Sequence, residues 1–414
     1  MNRQLSRWSE VLFTLACLFS AIAVSSQALA HSTPAPTSKP VELGATAVAD
    51  AQGRLWAVGK HTMADGASFL ALRRSEDGGK IWSAPLSVAN EAVAARGEER
   101  PKIAFGAKGE LYIVYTKPRG GPGNPHIGDI RFVRSIDGGK TFSQPISVHA
   151  NQDVIVHSFG SMIVDKAGNI YVAWVDSRLK EAAKSRQEPY AGNALYYAVS
   201  RDGGKSFDGD YKIADHTCEC CRLSLSLNSE GRPVVMWRHI FAPNIRDHAI
   251  AELSIAGKPG QIHRVSFDDW RVDACPHHGP SIAFGPDGAR HQAWFNVKDG
   301  EGGIFYARAN KAGELSTPLR LGSDLAKQPD AAVAGKTIAI VWKQFDGEAS
   351  VLMGRMSTDD GSSWTEKELA RTANDSDRPQ LLHTRSGLTA AWPTKEEGMR
   401  ILPLFPSISG AAGR

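Results

Sequence analysis

Two short segments hold most of the residues in this chain that can ligate a metal or exchange electrons. The first reads His216-Thr217-Cys218-Glu219-Cys220-Cys221-Arg222, and the second Asp273-Ala274-Cys275-Pro276-His277-His278-Gly279-Pro280. The chain has five cysteines: Cys17 lies in an N-terminal apolar run, and the other four all fall in these two segments. Thiolates are soft ligands and imidazoles borderline ones. A set made of Cys218, Cys220, Cys221, Cys275, His277 and His278 therefore suits zinc or copper, with sulfur favouring Cu(I). The spacing is not that of a zinc finger, and there is no Cys-x-x-Cys-His for covalent haem attachment. The same cysteines allow a different outcome. Four thiols in an oxidising compartment can form two disulfides, with Cys275 bridged to any of the other three. Adjacent imidazoles are of no use to a disulfide, which speaks for ligation. Redox-active thiols, or one bridge beside a His-rich site, also remain open.

The two segments are far apart in sequence, so a larger architecture must bring them together. That architecture is visible in a phrase that recurs four times. It reads Ser75-Glu76-Asp77-Gly78-Gly79-Lys80-Ile81-Trp82, Ser135-Ile136-Asp137-Gly138-Gly139-Lys140-Thr141-Phe142, Ser200-Arg201-Asp202-Gly203-Gly204-Lys205-Ser206-Phe207 and Ser357-Thr358-Asp359-Asp360-Gly361-Ser362-Ser363-Trp364. In a tight β-turn the Asp carboxylate accepts hydrogen bonds from turn N–H groups, Gly supplies a positive φ, and the closing aromatic anchors the turn on apolar surface. A second repeat runs in step with the first. Seven times, a turn containing Gly leads into an apolar strand, from Ala51-Gln52-Gly53 before residues 55–58 to Arg385-Ser386-Gly387 before residues 388–392. The interval of roughly 50 to 60 residues is the length of a four-stranded propeller blade. Between Ser200 and Ser357 two copies have lost the Ser-x-Asp phrase, and no helix-period segment of useful length interrupts the pattern.

The recurring phrase resembles the Asp-box, or BNR repeat, of the sialidase-like β-propeller superfamily. The resemblance spans essentially the whole chain after its N-terminal segment. It implies an all-β propeller of four-stranded antiparallel blades. Sialidases have six blades, whereas seven hairpins are counted here. Seven blades are therefore expected, the alternative being a six-bladed ring in which the last hairpin joins the N-terminal strand. In a propeller the first strand of each blade lines the central channel, so residues where those strands begin are the functional candidates. By that register the Cys segment belongs to the fourth blade and the Cys-His-His segment to the fifth, and both should meet at one channel mouth.

The resemblance also implies a competing activity. A sialidase grips its substrate carboxylate with three arginines, whose planar guanidinium groups bind bidentately, and pairs a tyrosine nucleophile with a glutamate. Arg100, Arg222 and Arg378 stand where channel strands begin, but no tyrosine does, and residues 41–50 of the first blade contain no arginine. An exo-sialidase or related glycosidase acting on acidic sugars is thus the rival to metal binding. A non-catalytic interaction propeller stapled by two disulfides is a third reading. The tryptophans at one blade position (Trp174, Trp237, Trp294, Trp342 and Trp392) read as packing between blades rather than a sugar platform.

The N-terminus carries Arg3 and Arg7, then an apolar core over residues 11–24, and ends in Ala28-Leu29-Ala30. This is a cleavable secretory signal over residues 1–30, and it points to a periplasmic or secreted protein. The apolar run is short for a membrane span. Residues 31–40, rich in Pro, Ser and Thr, read as a flexible lead-in to one propeller domain over residues 41–414. A formal charge of +4 over 414 residues, without Lys or Arg runs, gives no reason to expect a nucleic-acid partner. The expected partners are a metal ion or small ligand, with carbohydrate as the alternative, and the expected state is a monomer.

Overall fold

The structure is a computed structural model that describes residues 36–37, 40–121, 124 and 126–404. The signal expected at residues 1–30 and most of the expected lead-in lie outside the described residues. Besides a two-stranded pair of Pro36–Thr37 with Trp82–Ser83, seven antiparallel sheets follow one another along the described residues. Six have four strands each; the seventh, Gln380–Thr384, Gly387–Thr394 and Gly398–Pro403, has three among the described residues. Each sheet is a meander whose strands pair in chain order. The innermost strands are Thr46–Ala49, Lys102–Phe105, His157–Val164, Ser224–Leu227, Ser281–Phe284, Lys327–Ala334 and Gln380–Thr384. Each neighbours the next, and the last neighbours the first, so the ring closes as a seven-bladed propeller. The last hairpin forms a sheet of its own, separate from that of Thr46–Ala49, which excludes the six-bladed alternative.

The second strands explain the cohesion of the ring. Buried on both faces, they read as continuous apolar runs such as residues 170–175 and 338–342, not as alternating ones. The five recurring tryptophans are fully buried. Each indole N–H finds an acceptor, for example Trp174 Nε1 to Asp176 Oδ2 at 2.9 Å and Trp294 Nε1 to Asp268 Oδ2 at 2.7 Å. These rings are packing elements.

The four Ser-x-Asp turns join third to fourth strands and share one hydrogen-bond pattern. In the third, Ser200 Oγ donates to Asp202 Oδ1 (2.8 Å) and accepts from Gly204 N (2.8 Å), while Lys205 N and Ser206 N donate to Asp202 Oδ1 (2.9 and 3.1 Å). Gly204 has φ +79°, and a Cβ there would stand 2.4 Å from Phe132 Cε1 on the preceding blade. Its glycine therefore serves both conformation and inter-blade contact. Gly203 also has a positive φ (+70°), but its nearest neighbours are 3.7 Å away. Gly204→Ala should cost about 2–4 kcal/mol, and Gly203→Ala only about 1–2 kcal/mol from backbone strain. Thermal denaturation of the two variants side by side measures the difference.

One element departs from the sequence expectation. A helix, Arg178–Ser185, follows the second strand of blade 3. Its eight residues carry Glu181 in the first turn and Lys184 in the last, which suits the helix dipole. It is too short for a periodic signal to stand out from a loop. It matters because it forms one wall of the cleft described next.

Candidate metal centre and the arginine channel

Cys218 follows the outermost strand of blade 3, Asp208–Thr217, and begins the crossing to the innermost strand of blade 4. Its N–H donates to Arg238 O at 3.0 Å, which pins the start of the crossing to blade 4. The tight Cys-Glu-Cys-Cys turn then folds three thiols together. The Sγ atoms of Cys218, Cys220 and Cys221 all lie within 4.8 Å of one another, with Cys218 at 3.9 Å from Cys220 and 3.4 Å from Cys221. A disulfide requires a sulfur separation of about 2.05 Å. Tetrahedral thiolates about 2.3 Å from one metal ion stand about 3.8 Å apart. The observed separations match shared coordination much better than a bond.

All three thiols are buried. Cys218 is held well below the usual thiol range because Cys220 and Cys221 donate hydrogen bonds to its sulfur; the nearby Arg238 guanidinium adds to this. Arg246 Nη1 also donates to Cys218 Sγ, at 3.6 Å. Cys220 is pushed up mainly by sharing its proton with Cys218, and Cys221 mainly by burial. Cys218 thus stands between two thiols, each within reach of a shared S–H···S contact. A divalent or soft monovalent cation entering here would displace the protons these thiols carry.

Cys275 arrives from the crossing into blade 5 and is exposed. Its thiol is shifted down, chiefly by a hydrogen bond from Cys220, and its Sγ lies 4.0 Å from Glu219 Oε2. Cys220, Cys275 and His277 line one cleft of about 580 Å3, together with His126, Lys180 and Glu219. Lys180, on the short helix, pairs with Glu219 and closes one side of the opening. His278 is placed differently. Its ring packs on Phe295 at 4.1 Å between centroids, its Nδ1 is buried without a hydrogen bond, and burial pushes its pKa down to about 4. The structure thus gathers Cys218, Cys220 and Cys221, sets Cys275 and His277 at their opening, and turns His278 away from the cleft. Side chains that the sequence reading did not single out, namely Lys180, Glu219, His126 and Arg246, complete the surroundings. Glu219 belongs to the thiol turn itself, whereas Lys180, His126 and Arg246 sit in no motif and come from other parts of the ring.

The second group of candidates lies on the propeller axis. Glu98 of blade 2 accepts from Arg222 Nη1 of blade 4 (2.6 Å), from Gly279 N of blade 5 (2.9 Å) and from Gln328 Nε2 of blade 6 (3.1 Å). Arg222 is adjacent to Cys221 and Gly279 to His278, so one carboxylate ties both chemistry-bearing segments to the axis. A Cβ on Gly279 would lie 2.2 Å from Arg222 Cγ, so only glycine permits this approach. Arg100 Nη2 lies 3.5 Å from Asp377 Oδ1, and Arg100 also donates to the carbonyls of Gly97, Ala45 and Arg378. Arg378 is buried with its Nε unpartnered, and burial with the nearby Arg100 and Arg222 brings its pKa down to about 9. Arg100, Arg222 and Arg378 therefore do converge, but most of the donors of Arg100 and Arg222 already serve backbone carbonyls and Glu98.

No protein-family model matches the chain, and no curated protein is similar to it in sequence. Solved structures are similar in fold. A polysaccharide lyase, described as an ulvan lyase and also solved bound to -[GlcA(1-4)Rha3S]-, aligns with TM-score 0.55 and 12% identity over 89% of this chain and 94% of the lyase. A protein of unknown function from Dyadobacter fermentans aligns with TM-score 0.51 and 13% identity over 76% of this chain and 93% of its own. A puromycin hydrolase aligns with TM-score 0.52 and 14% identity over 88% of this chain and 51% of the hydrolase. At these identities the likeness is one of fold. No helix among the described residues is long and apolar enough to cross a membrane.

Proposed function

We propose that this chain is a periplasmic or secreted propeller, built on Asp-box repeats, that binds a soft transition metal, Cu(I) or zinc. The observation that carries the reading is the spacing of the Cys218, Cys220 and Cys221 sulfurs, 3.4 and 3.9 Å for two of the pairs. In this reading the three thiolates form the inner set. Cys275 moves in as a fourth sulfur, and His277 receives the ion at the cleft opening. His278 has no direct part. Arg246 and Arg238 offset the negative charge that three or four thiolates would gather in a buried site. A two-sided cleft with an exposed thiol suits delivery and release of an ion better than a sealed structural site does.

The test is metal analysis of the protein purified anaerobically, with titration of its thiols. One equivalent of metal per chain, protecting at least three thiols from alkylation, is the expected result. Zero reactive thiols without metal would replace this reading with two disulfides.

A second reading keeps one observation in its favour: Arg100, Arg222 and Arg378 meet at the axis, in a fold shared with a lyase solved with a uronate-containing saccharide. It makes the chain a glycosidase of the exo-sialidase type acting on acidic sugars. Fluorophore release from an aryl sialoside, lost in Arg378→Ala, would establish it.

A further inference from the structure

The gaps between blades are closed at the periphery by the turns that join third to fourth strands. A Cβ on Gly79 would press on Ile401 of blade 7, one on Gly139 on Trp56 of blade 1, and one on Gly204 on Phe132 of blade 2. In blade 6, Trp364 packs edge-on against Tyr306 of blade 5, with 5.5 Å between centroids. Blade 4 lacks the Ser-x-Asp phrase but still fills its gap. Gly257 sits so close to Tyr211 of blade 3 that a Cβ would lie 2.3 Å from its ring, and Tyr197 Oη donates to Ser254 O at 2.8 Å.

Among the described turns, only that of blade 5 does neither. Its Asn310-Lys311-Ala312-Gly313-Glu314 turn closes on itself, with Glu314 N donating to Asn310 Oδ1 at 3.0 Å, and nothing stands within 4 Å of a Cβ at Gly313. The unfilled gap between blades 4 and 5 is a cleft of about 680 Å3.

The charges that line this cleft are not balanced. Arg232 is paired with Glu230 and Glu252, and Arg264 with Asp247 and Asp269. Arg290, only 8% exposed, donates from Nε to Gln292 Oε1 at 2.9 Å, which leaves its two Nη groups without a partner among the described residues. No carboxylate offsets its burial, which alone lowers its pKa to about 10. Lys311, on the rim, likewise has no ion pair among the described residues, and its stem lies along Gly288 beside Arg290. Phe284, the cross-strand neighbour of Arg290, and Phe267, 59% exposed, also line the cleft; Arg264 covers one face of the Phe267 ring at 5.1 Å. A buried guanidinium without a counter-charge is costly unless a ligand supplies the anion, and two parallel Nη donors fit the two oxygens of a carboxylate or sulfate.

We propose that this cleft is a binding site for an anionic saccharide unit, carboxylated or sulfated, separate from the thiol cluster. Arg290 anchors the acid group bidentately, Lys311 adds a second positive charge at the rim, and Phe267 stacks on the sugar ring. The site exists because blade 5 lacks the turn contacts that seal the other gaps among the described residues.

Titration calorimetry at constant ionic strength tests this with D-glucuronate, D-glucose and inorganic sulfate as probes. Glucuronate should bind saturably in the millimolar range or tighter, glucose at least tenfold more weakly. Arg290→Met should abolish glucuronate binding, and Lys311→Met should weaken it roughly tenfold. Phe267→Ala should weaken glucuronate while leaving sulfate unchanged. Lys311 and Phe267 are exposed, so these two variants retain the fold even if Arg290→Met does not. Equal binding to wild type and to Lys311→Met and Phe267→Ala, or no saturable binding of glucuronate to wild type, overturns the assignment. Binding of sulfate alone overturns the saccharide part of it.

Discussion

If the thiol trio is the proposed metal site, replacing Cys220 by serine should lower the affinity for Cu(I) or zinc by at least about two orders of magnitude, measured by competition with a chelator of known strength. Cys220 is the thiol that links the two halves of the proposed site. Its sulfur lies 3.9 Å from that of Cys218 within the buried trio, and it lines the cleft together with Cys275. A serine hydroxyl at the same place is a hard, protonated oxygen. It cannot supply the thiolate that a soft ion requires. The swap is nearly isosteric and buries one hydroxyl, so the fold should survive, and circular dichroism should be unchanged. Cys275→Ser should have a smaller effect on affinity and a larger one on the rate of ion uptake, because Cys275 is exposed at the opening. If both variants retained wild-type affinity, the ion would be bound elsewhere and the trio would be a structural thiol cluster.

The second large effect is expected at Glu98. Its carboxylate is buried on the propeller axis and accepts from Arg222, Gly279 and Gln328. Burial works against its ionisation, but Arg222 and Arg378 override it and bring the pKa down from 4.5 to about 2. A carboxyl whose folded pKa is depressed stabilises the fold above its unfolded pKa. That contribution is lost as pH falls through the folded value. Stability should therefore decline from about pH 4.5 toward pH 2, by an amount on the order of 3 kcal/mol for this group. Glu98→Ala removes the carboxylate at every pH and leaves Arg222 and Arg378 as buried cations with less compensation. The expected cost is about 3–5 kcal/mol, read from denaturant midpoints at neutral pH. The part of the acid-dependent loss that this carboxylate contributes should also vanish in the variant, while Asp202 and Asp359, likewise depressed, keep theirs. Because Arg222 adjoins Cys221, metal affinity should fall too, without any ligand having been touched. A variant as stable as wild type at pH 7 would show that the carboxylate contributes no net stability.

These two residues also show how far the sequence could be read. Cys220 was visible because thiols are rare in this chain and cluster. Glu98 was not, because nothing in Glu98-Glu99-Arg100 says which carboxylate faces the axis. That depends on the register of the turn before the innermost strand, and only packing across the ring fixes it. The same holds for the two histidines: side by side in sequence, His277 and His278 take opposite directions. His277 sits at positive φ in a crossing loop (+57°), and His278 is drawn onto Phe295. The short helix Arg178–Ser185 escaped notice because eight residues span too few turns to carry a period.

What the chain alone determined was the repeating unit. Ser, Asp and Gly at fixed offsets encode a turn through local hydrogen bonds and a positive φ, and Gly turns leading into apolar strands recur seven times, so seven blades are expected, with six left open, without knowing any contact between them. The tertiary structure decided everything that depends on closing those blades into a circle. It determined which thiols share a volume, which arginines are already engaged, and which gap between blades stays open. Turn chemistry acts over a few neighbouring residues, whereas a site assembled across an axis is set by how distant side chains fill shared space.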